Sequence, residues 1–283
     1  MKTPPRLQPL VEEGLIDEVM RQLMSGKEAT VYVVRCGDEI RCAKVYKEAN
    51  QRSFHQAVAY QEGRRVKNSR QARAMEKGTR FGKKMAEEVW QNAEVDALYG
   101  LAAAGVTVPT PYVCFEGVLL MDLVTDAQGN AAPRLNDVEF DHGKALQFHA
   151  KLLREVILML NAGVIHGDLS EYNILVDEQG PVIIDLPQAI DAAGSSVAAS
   201  MLERDVTNLA NFFGTFAPEL IGSQYGKEIW NLYEAGTLTA DSPLTGKVPA
   251  PTEPVDVDAV INEIEVARLE EEDRIRRQLE QQS

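Results

Sequence analysis

Apolar positions run along this chain with two rhythms, a strand-like alternation in its first half and a helical spacing in its second. Residues 15–24 (LIDEVMRQLM) place Leu15, Ile16, Val19, Met20 and Leu23 at helical intervals, and Ser25-Gly26-Lys27 then breaks the pattern. Thr30–Arg35 and Ile40–Tyr46 are β-rich runs joined by Cys36-Gly37-Asp38-Glu39, which predicts a hairpin. The stretch that follows, as far as Lys84, is too polar to order itself on apolar burial and is expected to be a flexible excursion. Met85–Ala104 predicts a helix closed by Gly105, with Val89, Ala93, Leu98 and Leu101 on one side. A turn at Pro109 and Pro111 leads into a strand pair, Tyr112–Phe115 and Gly117–Val124. Helical spacing resumes over Phe140–Asn161. Short apolar strands follow at Ile174–Val176 and Val182–Ile184, and a further helix at Leu202–Phe213. The Pro-rich stretch Pro243–Pro254 predicts a linker to a last helix, Asp256–Gln281. A β-rich first part and a helix-rich second part predict an α+β protein of two lobes meeting at residues 121–125. The expected divisions are an N-terminal extension with a helix (1–24), a first lobe (25–121) with an inserted loop at 60–84, a second lobe (122–242) and a tail (243–283).

Composition narrows the class. The 283 residues are 45% hydrophobic and 25% charged, as in ordinary globular chains. No apolar run approaches the ~20 residues that a membrane helix needs, and MKTPPRLQPLVEEG lacks the apolar core of a signal peptide. Cys36, Cys42 and Cys114 are odd in number and widely spaced, so they predict small buried thiols in a reducing cytoplasm. A net charge of −14 argues against nucleic-acid affinity over the whole surface. The average hides a basic block, Tyr60–Lys84, with nine Lys or Arg against two Glu. It also hides an acidic one, Glu253–Ser283, with ten acidic against four basic side chains. The basic block suits RNA, a ribonucleoprotein or an acidic substrate as readily as plain solvation.

The chemistry concentrates in His166-Gly167-Asp168-Leu169-Ser170-Glu171-Tyr172-Asn173. This spacing is similar to the catalytic loop H-R-D-L-x-x-x-N, in which an Asp serves as base and an Asn, five residues on, holds a metal. An apolar strand pair then delivers Asp185, placed as a carboxylate that can hold magnesium between nucleotide phosphates. Upstream, Cys42-Ala43-Lys44 matches the end of V-A-I-K, whose Lys grips phosphates and pairs with a helical Glu. Glu87, Glu88 and Glu94 are candidate partners, and Glu94 fits the inner helix face best. Ser25-Gly26-Lys27-Glu28-Ala29 lies where a phosphate-covering loop belongs, although its single glycine fails G-x-G-x-x-G. Gly26 would let backbone N–H groups approach phosphate, and Lys27 adds charge.

Together, SGKEATVY, CAKVYK, HGDLSEYNIL, IIDLPQAI and RDVTNLANFF (204–213) resemble the RIO family of atypical serine/threonine protein kinases, in family order over about two thirds of the chain. The resemblance implies a two-lobed protein-kinase-like fold without the usual activation and peptide-docking segments, in the branch lacking an N-terminal winged helix. It implies that ATP and Mg2+, or Mn2+, are used. Lys44 would anchor phosphates and pair with Glu94, Asp168 would be catalytic, and Asn173 and Asp185 would bind metal. Ser25, Gly26, Lys27, Glu28 and Ala29 would cover the phosphates, and Met121, Asp122 and Val124 would line the adenine site. Autophosphorylation is expected, with Ser53, Ser69 and Thr79 in or beside the basic loop. The departures are Gly167 for Arg in H-R-D, Leu186-Pro187 for Phe-Gly in D-F-G, and Met24 where a Thr is expected. Ala217-Pro218-Glu219 follows the Asp205 helix, so it is a coincidental A-P-E. Two other readings stay open: a small-molecule phosphotransferase of aminoglycoside or choline kinase type, which also carries His-Gly-Asp, and an ATP-gated binding protein acting on a ribonucleoprotein.

Overall fold

A computed structural model describes residues 2–26, 28–47 and 93–248. Strands β1 (Glu18–Ser25), β2 (Ala29–Cys36), β3 (Glu39–Tyr46), β4 (Pro111–Phe115) and β5 (Val118–Asp122) form an antiparallel sheet in the order β1-β2-β3-β5-β4. Side chains alternate between its two faces. Val34, Ala43, Val45, Val118 and Leu120 pack beneath Leu7, Leu10, Ile16 and Val19, which belong to β1 and to the chain before it, including the short helix α1 (Gln8–Glu12). Tyr46, Leu119 and Met121 belong to the other apolar cluster, shared with the helical half of the chain.

The helix expected over residues 15–24 is a strand. β1 pairs with β2 through register shifts at Val19/Arg21 and Gln22/Met24. Each irregularity breaks the two-residue alternation, so apolar residues recur three and four apart without a helix. The first residues are also no extension, since Leu7 and Leu10 are fully buried against the sheet. The cysteines differ from expectation too: only Cys42 is buried, while Cys36 is partly covered and Cys114 is exposed.

The second half is built on three helices. α3 (His142–Asn161) starts at Asp141, whose carboxylate accepts from the Lys144 N–H at 2.7 Å, satisfying one of the open donors of the first turn. It packs with α4 (Ala198–Gly214) and α5 (Tyr225–Glu234) around a buried apolar cluster that includes Leu152, Val156, Leu209 and Phe213. The sequence pattern missed α5. Its Gly226 allows close approach to α4, because a Cβ there would lie 2.8 Å from Glu203 Cα. Two short pairs complete the lobe, β6 (Val164–Ile165) with β9 (Ile190–Asp191) and β7 (Ile174–Val176) with β8 (Pro181–Ile183). A helix, α2, runs through 93–103. Pro218–Leu220 is a 3₁₀ turn after α4, where Glu219 meets His142 at 2.7 Å.

Met1–Lys247 forms one unit, and Val248–Ser283 falls in a second, of which only Val248 is described. Lys27, the basic loop at 60–84 with Ser69 and Thr79, Ser53, the predicted helical residues 85–92 with Glu87 and Glu88, the end of the Pro-rich stretch and the Asp256–Gln281 helix lie outside the described residues.

Because Leu10 has no exposed surface, Leu10→Ala is expected to destabilise the protein by about 2–5 kcal/mol in denaturant unfolding. An unchanged midpoint would mean that the first residues lie outside the core.

Candidate functional site

β3 carries Lys44 on the face that also holds Tyr46, turned toward the helical half. From there its Nζ lies 2.5 Å from Glu94 Oε1 on α2 and 2.9 Å from Asp185 Oδ1 beyond β8. Glu94 makes this contact, and the other two candidates, Glu87 and Glu88, lie outside the described residues. It is 4% exposed, and Asp185 is 46% exposed. Burial works against the Lys44 ammonium, but Glu94 and Asp185 outweigh it and raise its pKa well above the ordinary value. Desolvation likewise works to raise Asp185, and Lys44 reverses it, leaving the carboxyl below its usual range. Asp185 has a φ of 66°, in the left-handed region that Asp tolerates better than most residues.

The loop between β6 and β7 presents Asp168 and Asn173. The Asn173 amide donates to the Asp168 carbonyl at 2.8 Å and approaches its carboxylate at 3.5 Å, which ties the two side chains together. His166 is buried, and burial lowers its pKa, so the ring is neutral at pH 7. Its Nδ1 accepts from the Asp168 N–H at 3.3 Å, so the proton belongs on Nε2, which donates to the Ile184 carbonyl at 3.1 Å. One imidazole thus spans from the Asp168 loop to the residue before Asp185.

Asp205 is a residue the sequence reading passed over. It lies on the buried face of α4, and its carboxylate accepts from the N–H groups of Gly167 at 2.7 Å and Leu169 at 3.1 Å, on either side of Asp168. Asn208 adds a bond to the Leu169 carbonyl at 3.1 Å, and the Arg204 guanidinium donates to the Gly167 carbonyl. The available signal was a carboxylate within the apolar stripe Leu202, Val206, Leu209, since a buried acid needs partners. Burial pushes its pKa up to about 7, partly offset by the two N–H donors. The departure at Gly167 also has its reason here. Its φ is 78°, and a Cβ would meet the Gln188 carbonyl oxygen at 2.5 Å and Met201 Cε at 2.7 Å. An Arg does not fit.

The remaining candidates are placed as follows. Ser25 ends β1, and the Gly26 N–H donates to the Ala29 carbonyl at 2.9 Å, so it is spent in the turn and is not open to phosphate as expected. Lys47 braces that turn through the Gly26 carbonyl at 2.6 Å and Ser25 Oγ at 3.3 Å, while Glu28 accepts from the Lys47 N–H through its carbonyl and Ala29 is buried in β2. Met121 is in β5, and the Asp122 carboxylate is held by the Tyr112 hydroxyl and the Thr110 N–H. The Val124 carbonyl accepts from Ala132 at 2.9 Å. Among the described residues no three His, Cys, Asp or Glu side chains are grouped to hold a metal by themselves. No described helix is long and apolar enough to cross a membrane.

Comparison with known proteins decides the family. The sequence profile described as the RIO domain matches residues 30–225. The chain belongs to the RIO family. The RIO-type serine/threonine-protein kinase Rio1 of Haloferax volcanii is 34% identical over 72% of this chain and 66% of its own length. The Schizosaccharomyces pombe serine/threonine-protein kinase rio1 is 29% identical over 72% of this chain and 40% of its own. The RIO chain therefore spans slightly under two thirds of one relative and well under half of the other. Among solved structures, the Rio2 kinase–ADP/Mg2+–phosphoaspartate complex of Chaetomium thermophilum aligns with a TM-score of 0.56 at 20% identity, covering 80% of this chain and 64% of that one. That likeness places the RIO chain in the two-lobed kinase-like α+β fold.

The raised pKa of Asp205 carries a pH signature. A carboxyl whose folded pKa lies above its ordinary 3.8 contributes most stability in acid and loses it as pH rises through about 7. The stability of the wild type relative to Asp205→Asn is expected to fall between about pH 4 and 7, measured by denaturant unfolding. A difference that grows with pH would mean that the N–H donors outweigh burial.

Proposed function

We propose that this RIO chain is an ATP-dependent serine/threonine protein kinase, transferring the γ-phosphoryl group to a hydroxyl. The observation that carries this reading is Lys44, bound at once to Glu94 and Asp185, with the Asp168–Asn173 pair on the adjoining loop. The names of the relatives support it. ATP would sit with adenine along Met121–Val124 and its phosphates toward Lys44 and the 25–29 turn. Asp185 and the Asn173 side-chain oxygen would hold Mg2+, and the nucleotide oxygens would complete its coordination. Two protein donors without a third carboxylate suit an ion that keeps phosphate and water ligands, and Mn2+ suits the same oxygen set. The ion supplies charge neutralisation on the phosphates.

The residues then divide the work. Asp168 orients the substrate hydroxyl and accepts its proton as the oxygen bonds to the γ-phosphorus and the bond to the β-phosphate oxygen breaks. Lys44, which stays charged because of Glu94 and Asp185, offsets the negative charge left on ADP. Autophosphorylation at Ser53, Ser69 or Thr79, contact of the basic 60–84 stretch with RNA or a ribonucleoprotein, and a cytoplasmic site of action belong to the same proposal. A second reading, ATP turnover through phosphoryl transfer to a carboxylate, is favoured by the phosphoaspartate named in the Rio2 neighbour and by the position of Asp185 beside Lys44.

Asp168→Asn is expected to lower phosphoryl transfer by at least ~10²-fold while ADP–Mg2+ affinity stays within about twofold of wild type. Radiolabelled ATP turnover and nucleotide titration measure the two halves. Near wild-type turnover would remove Asp168 from catalysis.

A further inference from the structure

Arg134 belongs to the segment between β5 and α3, and no motif singles it out. Its backbone forms a β-bridge with Leu175 of β7, next to the bond from the Val176 N–H to the Pro133 carbonyl at 2.9 Å. Strand β7 begins immediately after Asn173, so Arg134 is laid against the strand that issues from the proposed metal site. From that base the guanidinium reaches across to the sheet and donates to Met24 Sδ at 3.1 Å, one residue before Ser25, where the 25–29 segment begins. The side chain therefore bridges the strand that follows the catalytic loop and the strand that enters the turn, on the two sides of the cleft.

A thioether is a poor partner for a guanidinium, whose planar fork matches carboxylates and phosphates. Among the described residues Arg134 nevertheless has no carboxylate in ion-pair contact; the Met24 sulfur is its one side-chain hydrogen bond. Lys44 is already paired twice and Lys47 is taken up by the Gly26 carbonyl and Ser25 Oγ, whereas an arginine held by a weak acceptor is a cation available to an incoming anion.

We infer that Arg134 is a nucleotide-specificity residue: it leaves Met24 when ligand enters the cleft and binds the phosphate chain of the adenine nucleotide. This rests on the nucleotide-binding reading above. It also gives a role to Met24, whose thioether holds the guanidinium in place without competing strongly against a phosphate.

The test compares adenosine, ADP and ATP, each titrated with magnesium at fixed ionic strength, against wild type, Arg134→Ala and Arg134→Lys. Arg134→Ala is expected to raise the Kd of ADP and ATP about tenfold and leave adenosine within twofold, because only the phosphates contact the guanidinium. Arg134→Lys should recover part of the loss by restoring the charge without the fork, and a thermal melt matching wild type certifies its fold. In turnover the loss should fall on KM more than on kcat. Equal weakening of adenosine and ATP, or no change for either, overturns the inference. Wild-type protein that binds none of the three overturns the nucleotide reading itself.

Discussion

Lys44 is the constraint on which the rest depends. Its ammonium is covered on most sides, and a buried charge is tolerated only when its partners are close and fixed. Glu94 on α2 and Asp185 beyond β8 meet that need from two different parts of the fold, at 2.5 and 2.9 Å. The sheet must therefore lie over the helical lobe in one register, and α2 must present Glu94 inward. Such a pair contributes little net stability compared with an apolar replacement. Its effect is specificity: with one partner removed, the charge left behind is costly, by about 3–5 kcal/mol.

A second, independent brace fixes the loop that carries Asp168. The Asp205 carboxylate holds the N–H groups on both sides of Asp168, and His166 links that loop to the Ile184 carbonyl. Gly167 makes this possible, since its left-handed backbone lies too close to Gln188 and Met201 for any side chain. The absence of Arg in the His-Gly-Asp string is thus a packing requirement. The Arg204 guanidinium, arriving from α4, donates instead to the Gly167 carbonyl. Both braces act on groups that the proposed function turns toward a nucleotide, and under that proposal the site is organised before anything binds, which lowers the reorganisation needed at the reactive step.

Much of this was legible in the sequence, for definite reasons. Strands β2, β3 and β5 are rich in apolar residues that are buried on both faces of the sheet, and the long amphipathic helices α3 and α4 carry apolar stripes interrupted by His149 and Asp205. Lys44, Asp168, Asn173 and Asp185 stood out because their spacing is fixed by short local elements. Strand β1 was misread because its two irregularities imitate helical spacing. α5 escaped because its turns hold few buried residues, only Gly226 and Ile229, and its packing on α4 rests on a glycine. Asp205 and Arg134 escaped because their partners lie 36 and 110 residues away, and even the local mark of Asp205, a carboxylate within an apolar stripe, does not name its partners.

The central claim, that Lys44 and Glu94 act as one unit, is tested most directly by a double-mutant cycle on ATP turnover with Lys44→Ala, Glu94→Ala and the combination. Residues that work only together are non-additive, so the double variant is predicted to be scarcely slower than the slower single variant. Losses that multiply in the double variant would contradict the account, because the two side chains would then contribute separately.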